Sequence, residues 1–413
     1  MPDVNGVTVL KQAGALNRGP QGEDRICGML YGASTAPSGL AFGTVQKLES
    51  LQEAVDLGIT ADYDTTNDEL LYYFISEFFR LSPQGKLWIL LVDQSGVAVA
   101  PATMLTDSGN AYAKKLLTTA NGEIRVLGVA INPANLAGTY TYGLPDEVEA
   151  ALAPAQSLAE WSYTNFMPVN VVLEGCDIQT PYGSLKDLRA LAHTKVSVFI
   201  GQDKGKADSD AAWTNRAALG TILGMISQRA VNENIGWVAR GNVSDTANGL
   251  FTSVGLTDNT AIEDVQASWQ TIADDGYIFL KPYVGFAGYY FTDDPTATTV
   301  TGEDEISISA GRTKDKAARV LRNALLPVVK SPQKLTSAGK LPPSQLRYLE
   351  SVAERALDDF MTNQDEISAR QVIVDPDSDL VNAPKRLDVS FNIVPTGTIG
   401  EIQGKLQFVD SIE

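Results

Sequence analysis

Residues 67–92 read NDELLYYFISEFFRLSPQGKLWILLV, and the change of period inside this stretch decides the fold. Leu70, Leu71, Phe74, Ile75, Phe78 and Phe79 recur at helical spacing, so one face of a helix is apolar. Asn67 is placed to cap that helix, with Asp68 and Glu69 in the first turn, where carboxylates favour the dipole. Pro83 and Gly85 stop it. Lys86 to Val92 is then a short apolar run of strand length, as expected of a strand buried on both faces. A helix followed by a doubly buried strand is the repeating unit of an α/β layer with a largely parallel sheet.

The same alternation extends both ways. Arg25 to Tyr31 reads as the first strand, and further strands are expected over Arg125 to Ile131, Val169 to Glu174, Lys195 to Ile200 and Ile235 to Ala239. Helical stretches over Leu185 to Ala192 and Ala211 to Val231 separate the later ones. Residues 281–310 read as loop and strand, with PYVGFAGYYFTDDPT (282–296) the most distinctive piece. Two amphipathic helices follow. In the first, 312–326, Ala317, Val320, Leu321, Ala324 and Leu325 form the apolar stripe and Arg312, Lys316, Arg319 and Arg322 form a candidate basic docking face. In the second, 344–361, Leu346, Leu349, Val352, Ala353, Leu357 and Phe360 face inward, while Glu350, Glu354 and Asp358 lie outside.

The two ends differ from this body. Residues 1–22 are rich in Gly, Asn and Gln, and only Val4 to Leu10, carrying Val4, Val7 and Val9, has strand-like alternation. In RLDVSFNIV (386–394), Leu387, Val389, Phe391 and Ile393 alternate with polar residues, before Pro395 and Gly397 turn the chain and Lys405 to Val409 form another short strand. Strands at free ends can add to a sheet edge of another chain or close a hairpin on their own domain, and the pattern leaves both open. The expected organisation is an N-terminal linking arm (1–22), an α/β body (23–280), a C-terminal α/β domain (281–385) and a C-terminal strand (386–413).

The formal charge of −18 disfavours nucleic acid, whose phosphates require Lys and Arg, and disfavours anionic membrane surfaces. The charge is uneven. Between Gly311 and Arg347 lie nine bases and one acid, Asp315, which gives 9 − 1 = +8 and leaves −18 − 8 = −26 for the rest. Such a block is either an electrostatic docking surface or a basic helix face paired with acids of the same chain. No apolar run is long enough to span a bilayer, and the N-terminus lacks the pattern of a secretory signal. Cys27 and Cys176 are the only cysteines and are expected to be reduced and buried, as in a protein made in a reducing cytoplasm.

Catalytic patterns are weak. His193 is the only histidine, so a His-based metal site or a Ser–His–Asp triad would have to use it. GQDKGKA (201–207) has the placement of a phosphate loop, but three residues separate Gly201 from Gly205, not four, and Ala207 stands where magnesium needs Ser or Thr. The pairs Asp274–Asp275, Asp293–Asp294 and Asp358–Asp359 do not face one site by spacing alone, and the cluster Glu303, Asp304 and Glu305 lacks EF-hand spacing. No cofactor is expected.

GYYFTDDPT (288–296), TKDKAARVLRNALLPVV (313–329), RLDVSFNIVPTGTIGEIQGKLQFV (386–409) and the opening PDVNGVTVLKQAGAL (2–16) together resemble the contractile tail sheath family. GKLWILLVD (85–93) and the alternation around it are similar to that family's variable outer body. The resemblance implies a mixed α/β, multi-domain sheath subunit with an extended N-terminal arm and a C-terminal strand. It implies subunits that stack as hexameric rings around an inner tube, lend their arm and terminal strand to neighbours, and contract through new contacts between subunits. The implied partners are further copies of the chain, a tube protein, and baseplate and tail terminator proteins, in a virion tail or injection particle assembled from subunits made in the bacterial cytoplasm. Other assembly subunits (tail tube, capsid, surface layer) and a nucleotide-binding enzyme are the alternatives.

Overall fold

The computed structural model describes residues 24–96, 99–132, 136–382, 385–404 and 406. Six strands form the central sheet: β1 (Ile26–Ala33), β2 (Val45–Leu48), β3 (Lys86–Asp93), β4 (Val126–Ala130), β5 (Asn170–Glu174) and β6 (Val196–Phe199), in the order β2-β3-β1-β4-β5-β6. Only β2 runs antiparallel. β1, β4, β5 and β6 are buried along their whole length, which is why they read as unbroken apolar runs.

Helices α1 (Leu71–Leu81), α2 (Asp146–Thr164) and α3 (Leu219–Gln228) pack around this sheet, and the short helix Tyr112–Thr119 lies against β1, β2 and β3. α1 packs on α3, and α3 in turn covers β1 and β4. Glycines set the spacing: a Cβ on Gly128 of β4 would lie 2.6 Å from Leu223 of α3, and one on Gly220 of α3 would lie 2.0 Å from the Phe74 carbonyl oxygen of α1. A hairpin of β7 (Leu280–Tyr283) and β8 (Phe286–Phe291) closes the large core, which runs from Ile26 to Ile308.

The chain then builds a smaller unit from α4 (Ile308–Leu325), α5 (Pro343–Phe360), β9 (Ile367–Val374) and β10 (Val389–Pro395). Ala317, Leu321, Ala353, Leu357, Met361, Ile367 and Val372 form its core. α4 joins the two units, because Ile308 in its first turn belongs to the large core and Leu321 to the small one.

Several local expectations change. Asn67 does not cap α1; it ends the preceding helix Ala61–Asn67. The caps come from Asp64, whose Oδ1 and Oδ2 accept from the Tyr72 and Tyr73 amides, both at 2.9 Å. Glu69 leaves the dipole and turns inward, accepting from the Tyr31 hydroxyl at 2.9 Å and the Ser34 amide at 2.8 Å. Leu185 to Ala192 gives only a 3₁₀ turn at Leu188–Ala190, held by Asp187. Of Ala211 to Val231, the α-helix keeps Leu219–Gln228, since Arg216 is drawn inward to Glu174. Ile235 to Ala239 is not a strand: the chain forms a 3₁₀ turn at Val238–Arg240 and leaves Trp237 exposed.

Candidate assembly surfaces

β9 and β10 form a two-stranded antiparallel ribbon, paired from Ile367↔Pro395 to Val374↔Val389. The pairing puts Val372 and Val374 on one face with Phe391 and Val389. That face rests on α4 and α5, where Val372 and Val374 are buried and Val389 and Ile393 pack at the margin. Leu387 packs beside Leu349 and Val374. Phe391 remains 38% exposed. Sequence alternation therefore identified the inward face of a hairpin, and its main-chain partner on one edge is the chain's own β9. Among the described residues no further strand pairs with either outer edge of the ribbon, although the Val374 amide of β9 donates to Glu350 Oε1 at 3.2 Å. Past the ribbon, Ile399, Ile402 and Leu406 are almost fully exposed. Val4, Val7 and Val9, and all of Lys405 to Val409 except Leu406, lie outside the described residues.

The basic block is divided. Arg312 is buried and donates to the carbonyls of Asp24 (3.2 Å), Arg229 (3.1 Å) and Ala230 (3.2 Å). Lys316 Nζ lies 2.8 Å from Asp24 Oδ2 and donates to Glu366 Oε1 at 2.7 Å, and Arg319 donates to Asp24 Oδ1 at 2.8 Å. These three cations thus meet acids and carbonyls of the same chain. Burial pushes the Asp24 carboxyl up, but Lys316 and Arg319 outweigh it and hold it below its ordinary value. Arg322 is the outward one of the four, its guanidinium 4.1 Å from the centre of the exposed Phe166 ring. Leu326 and Val329 continue this exposed stripe.

The sequence singled out neither Asp24 nor Glu366. Each is a carboxylate among others, Asp24 beside Glu23 and Glu366 beside Asp365, and only the tertiary fold distinguishes it. α4 presents its cations to both.

The remaining candidates lack an open site. In GQDKGKA, Asp203 turns onto its own short helix, accepting from the Lys206 amide at 3.2 Å and from the Tyr73 hydroxyl at 2.7 Å. His193 is half-buried in a two-residue pairing with Ala297 and Thr298, and burial lowers its pKa. Asp294 is buried and accepts from the Ser309 amide at 2.9 Å and from Asn234 at 2.7 Å; burial and the adjacent Asp293 push its carboxyl up to about 8. Asp358 pairs with Arg370. Among the described residues no group of His, Cys, Asp and Glu is placed to hold a metal ion, and no helix is long and apolar enough to cross a membrane.

Comparison with known proteins bears on the whole chain. Among solved structures, the fold is similar to the helical sheath of the anti-feeding prophage in its contracted state, at 14% identity over 100% of both chains with a TM-score of 0.63. It is also similar to a chain of the anti-feeding prophage baseplate, at 14% identity over 100% of both chains with a TM-score of 0.60. A third likeness is to the contracted PVC sheath complex of an extracellular contractile injection system, at 10% identity over 100% of this chain and 99% of that one, with a TM-score of 0.56. No curated protein matches. The family described as DUF2586 matches with its N-terminal domain over residues 4–295 and its C-terminal domain over residues 306–412. The chain has the mixed α/β, multi-domain fold of contractile sheath proteins, and it belongs to the DUF2586 family.

Proposed function

We propose that this chain is the structural subunit of a contractile sheath, which polymerises as stacked hexameric rings around an inner tube and contracts to drive that tube through a target envelope. The single observation that carries the reading is the β9–β10 ribbon, a two-stranded sheet to which no third strand is paired among the described residues, on a fold that matches sheath subunits over its full length. A two-stranded ribbon supported from one face by helices is a ready acceptor for further strands. Main-chain bonds worth about 0.5–1.5 kcal/mol net apiece persist while bodies rotate, because they do not depend on side-chain fit. In this reading the N-terminal arm, with Val4, Val7 and Val9, and the chain past Pro395 are the donors. Val389, Phe391 and Ile393 of β10 belong to the acceptor, with Leu387 packed beside them. The small C-terminal unit lies toward the tube and the α/β body outside, and the exposed end of the basic block, at Arg322, faces a tube or neighbouring subunit. Baseplate and terminator proteins close the two ends of the assembly, whose subunits are made in the bacterial cytoplasm. No nucleotide drives contraction; contacts between subunits do.

Negative-stain microscopy of the expressed full chain tests this. Hollow, striated cylinders are expected. Flat lattices, capsid-like shells or a persistent monomer at high concentration would overturn it.

A further inference from the structure

The β7–β8 hairpin is anchored at one end and bare at the other. Leu280 and Phe291, paired at its base, are fully buried, and the Phe291 ring lies 5.7 Å from that of Phe199 in the core. At the far end the chain turns through Val284 and Gly285, with Gly285 at φ +86°. Val284 is fully exposed, and Phe286, paired with Tyr283, is 63% exposed. Tight turns favour Gly, Asn, Asp and Ser, so neither apolar side chain serves the turn itself.

Behind this tip sits a cation without an acid. Lys281 Nζ lies 4.9 Å from the centre of the Tyr283 ring and 5.9 Å from that of Trp269, in the short helix Trp269–Asp274. Tyr283 in turn meets Tyr290 edge-on, with ring centres 5.6 Å apart. Two acids beside the hairpin are engaged elsewhere: Asp293 accepts from Asn234, and Glu263 accepts from the Tyr289 hydroxyl at 2.9 Å. Among the described residues no carboxylate pairs with Lys281, and burial lowers its pKa with no acid to oppose the shift.

The complement lies on the small unit. Just after β9, Asp375, Asp377 and Asp379 are exposed in one short loop, and Val381 is 56% exposed beside them. Asp377 meets Lys340 at 3.4 Å and stays largely exposed. Asp379 accepts from the Val381 and Asn382 amides, which hold its carboxyl down at about 2, so it stays charged. The loop offers acid and apolar surface together, and the hairpin offers a cation and apolar surface together, which is the complementarity that selects a partner.

We propose that the β7–β8 tip is an interface between copies of this chain, and that its occupant is the Asp375–Val381 loop of a second copy. Val284 and Phe286 cover Val381, and Asp377 pairs with Lys281. The large body of one subunit thereby holds the small unit of the next through a contact that uses no strand exchange. That a second copy is the partner rests on the sheath reading.

Sedimentation of the full chain over a concentration series tests this, with circular dichroism to check the fold. Val284→Ser with Phe286→Ser changes two exposed side chains and is expected to keep the fold while weakening self-association about tenfold or more. Lys281→Glu and Asp377→Lys are each expected to weaken it, and the two together to restore it toward the wild-type value, because the swap rebuilds the pair in the opposite sense. If Lys281→Glu does not fold, Lys281→Gln removes the charge without reversing it, and adding Asp377→Asn should then cause no further loss. Unchanged association of the tip variant, or a swapped pair no better than its worse parent, would overturn the proposal. The sheath reading fails separately. Association that the tip variant weakens but that gives no cylinders keeps this interface and removes that reading; cylinders from the tip variant at wild-type concentrations remove this interface and keep the reading.

Discussion

Gly220 and Phe74 are in backbone contact: a Cβ added at Gly220 would sit 2.0 Å from the Phe74 carbonyl oxygen and 2.5 Å from its Cα. The neighbour is main chain, not the end of a flexible side chain, so α1 and α3 would have to separate. Because α3 covers β1 and β4, that separation disturbs the large core. Gly220→Ala is expected to destabilise by at least about 1–3 kcal/mol, the usual cost of overpacking. Gly183→Ala, at a glycine with open space around it, should be near neutral. Urea midpoints for the two variants check this.

Arg216 and Glu174 form a fully buried pair, with Nε 2.9 Å from Oε1. Glu174 also accepts from the Ile131 and Ala217 amides, both at 3.0 Å, so it ties β5 to the end of β4 and to the start of α3. Removing the guanidinium leaves a carboxylate buried among two amides. Arg216→Met should cost about 3–5 kcal/mol, the range for breaking a buried pair from one side. Arg216→Met with Glu174→Gln should cost less than Arg216→Met alone, because no lone charge remains. Denaturant unfolding of the single and double variants gives the comparison.

Two buried carboxyls with strongly raised values contribute to the pH response. Burial pushes Asp64 up to about 7 and, with Asp293, pushes Asp294 up to about 8, both from an unfolded value of 3.8. The folded state therefore holds these protons more tightly than the unfolded chain. Stability is greatest below the unfolded value and declines as pH rises toward the folded one, by up to about 1.4 kcal/mol per pH unit for each group. Asp24 works in the opposite sense: its folded value is lowered, so its contribution is kept above 3.8 and lost as pH falls through the depressed value. Unfolding free energy measured from about pH 5 to about pH 9 should fall with pH, and Asp294→Asn should flatten that slope. A slope that Asp294→Asn leaves unchanged would show that Asp294 stays ionised on its two hydrogen bonds.

The parallel sheet was legible because its strands are buried on both faces and read as apolar runs, as Lys86 to Val92 does. The helices α4 and α5 were legible from their stripes. Local polar residues misled where their partners are distant. Asn67 has the chemistry of a cap, but Asp64 reaches back over α1 because the helix Ala61–Asn67 holds it there. The basic block is the clearest case: Arg312, Lys316, Arg319 and Arg322 share one helix in sequence, and only their partners, Asp24, Glu366 and the Phe166 ring, separate the inward three from the outward one. Those partners lie too far along the chain for any spacing rule to connect them.

That division yields the final prediction, on the docking face. Reversing Arg312, Lys316 or Arg319 places a carboxylate at the Asp24 node, where it meets acids with fewer cations to offset it, so such variants should fail by loss of fold. Arg322 is different. It is exposed, it stacks on an exposed ring, and Leu326, one turn on at the end of α4, is exposed as well. A cation over an exposed aromatic contributes only about 0.5–1 kcal/mol, so Arg322→Glu should leave thermal unfolding within a degree or two of wild type. If Arg322 docks an acidic partner, the same variant should assemble poorly, and the residual assembly should lose part of its salt sensitivity, since one screened contact is gone. Circular dichroism and sedimentation at low and high salt separate the outcomes. Normal assembly with an unchanged salt response would show that Arg322 takes no part in docking, and that the four cations of α4 do not form a docking face.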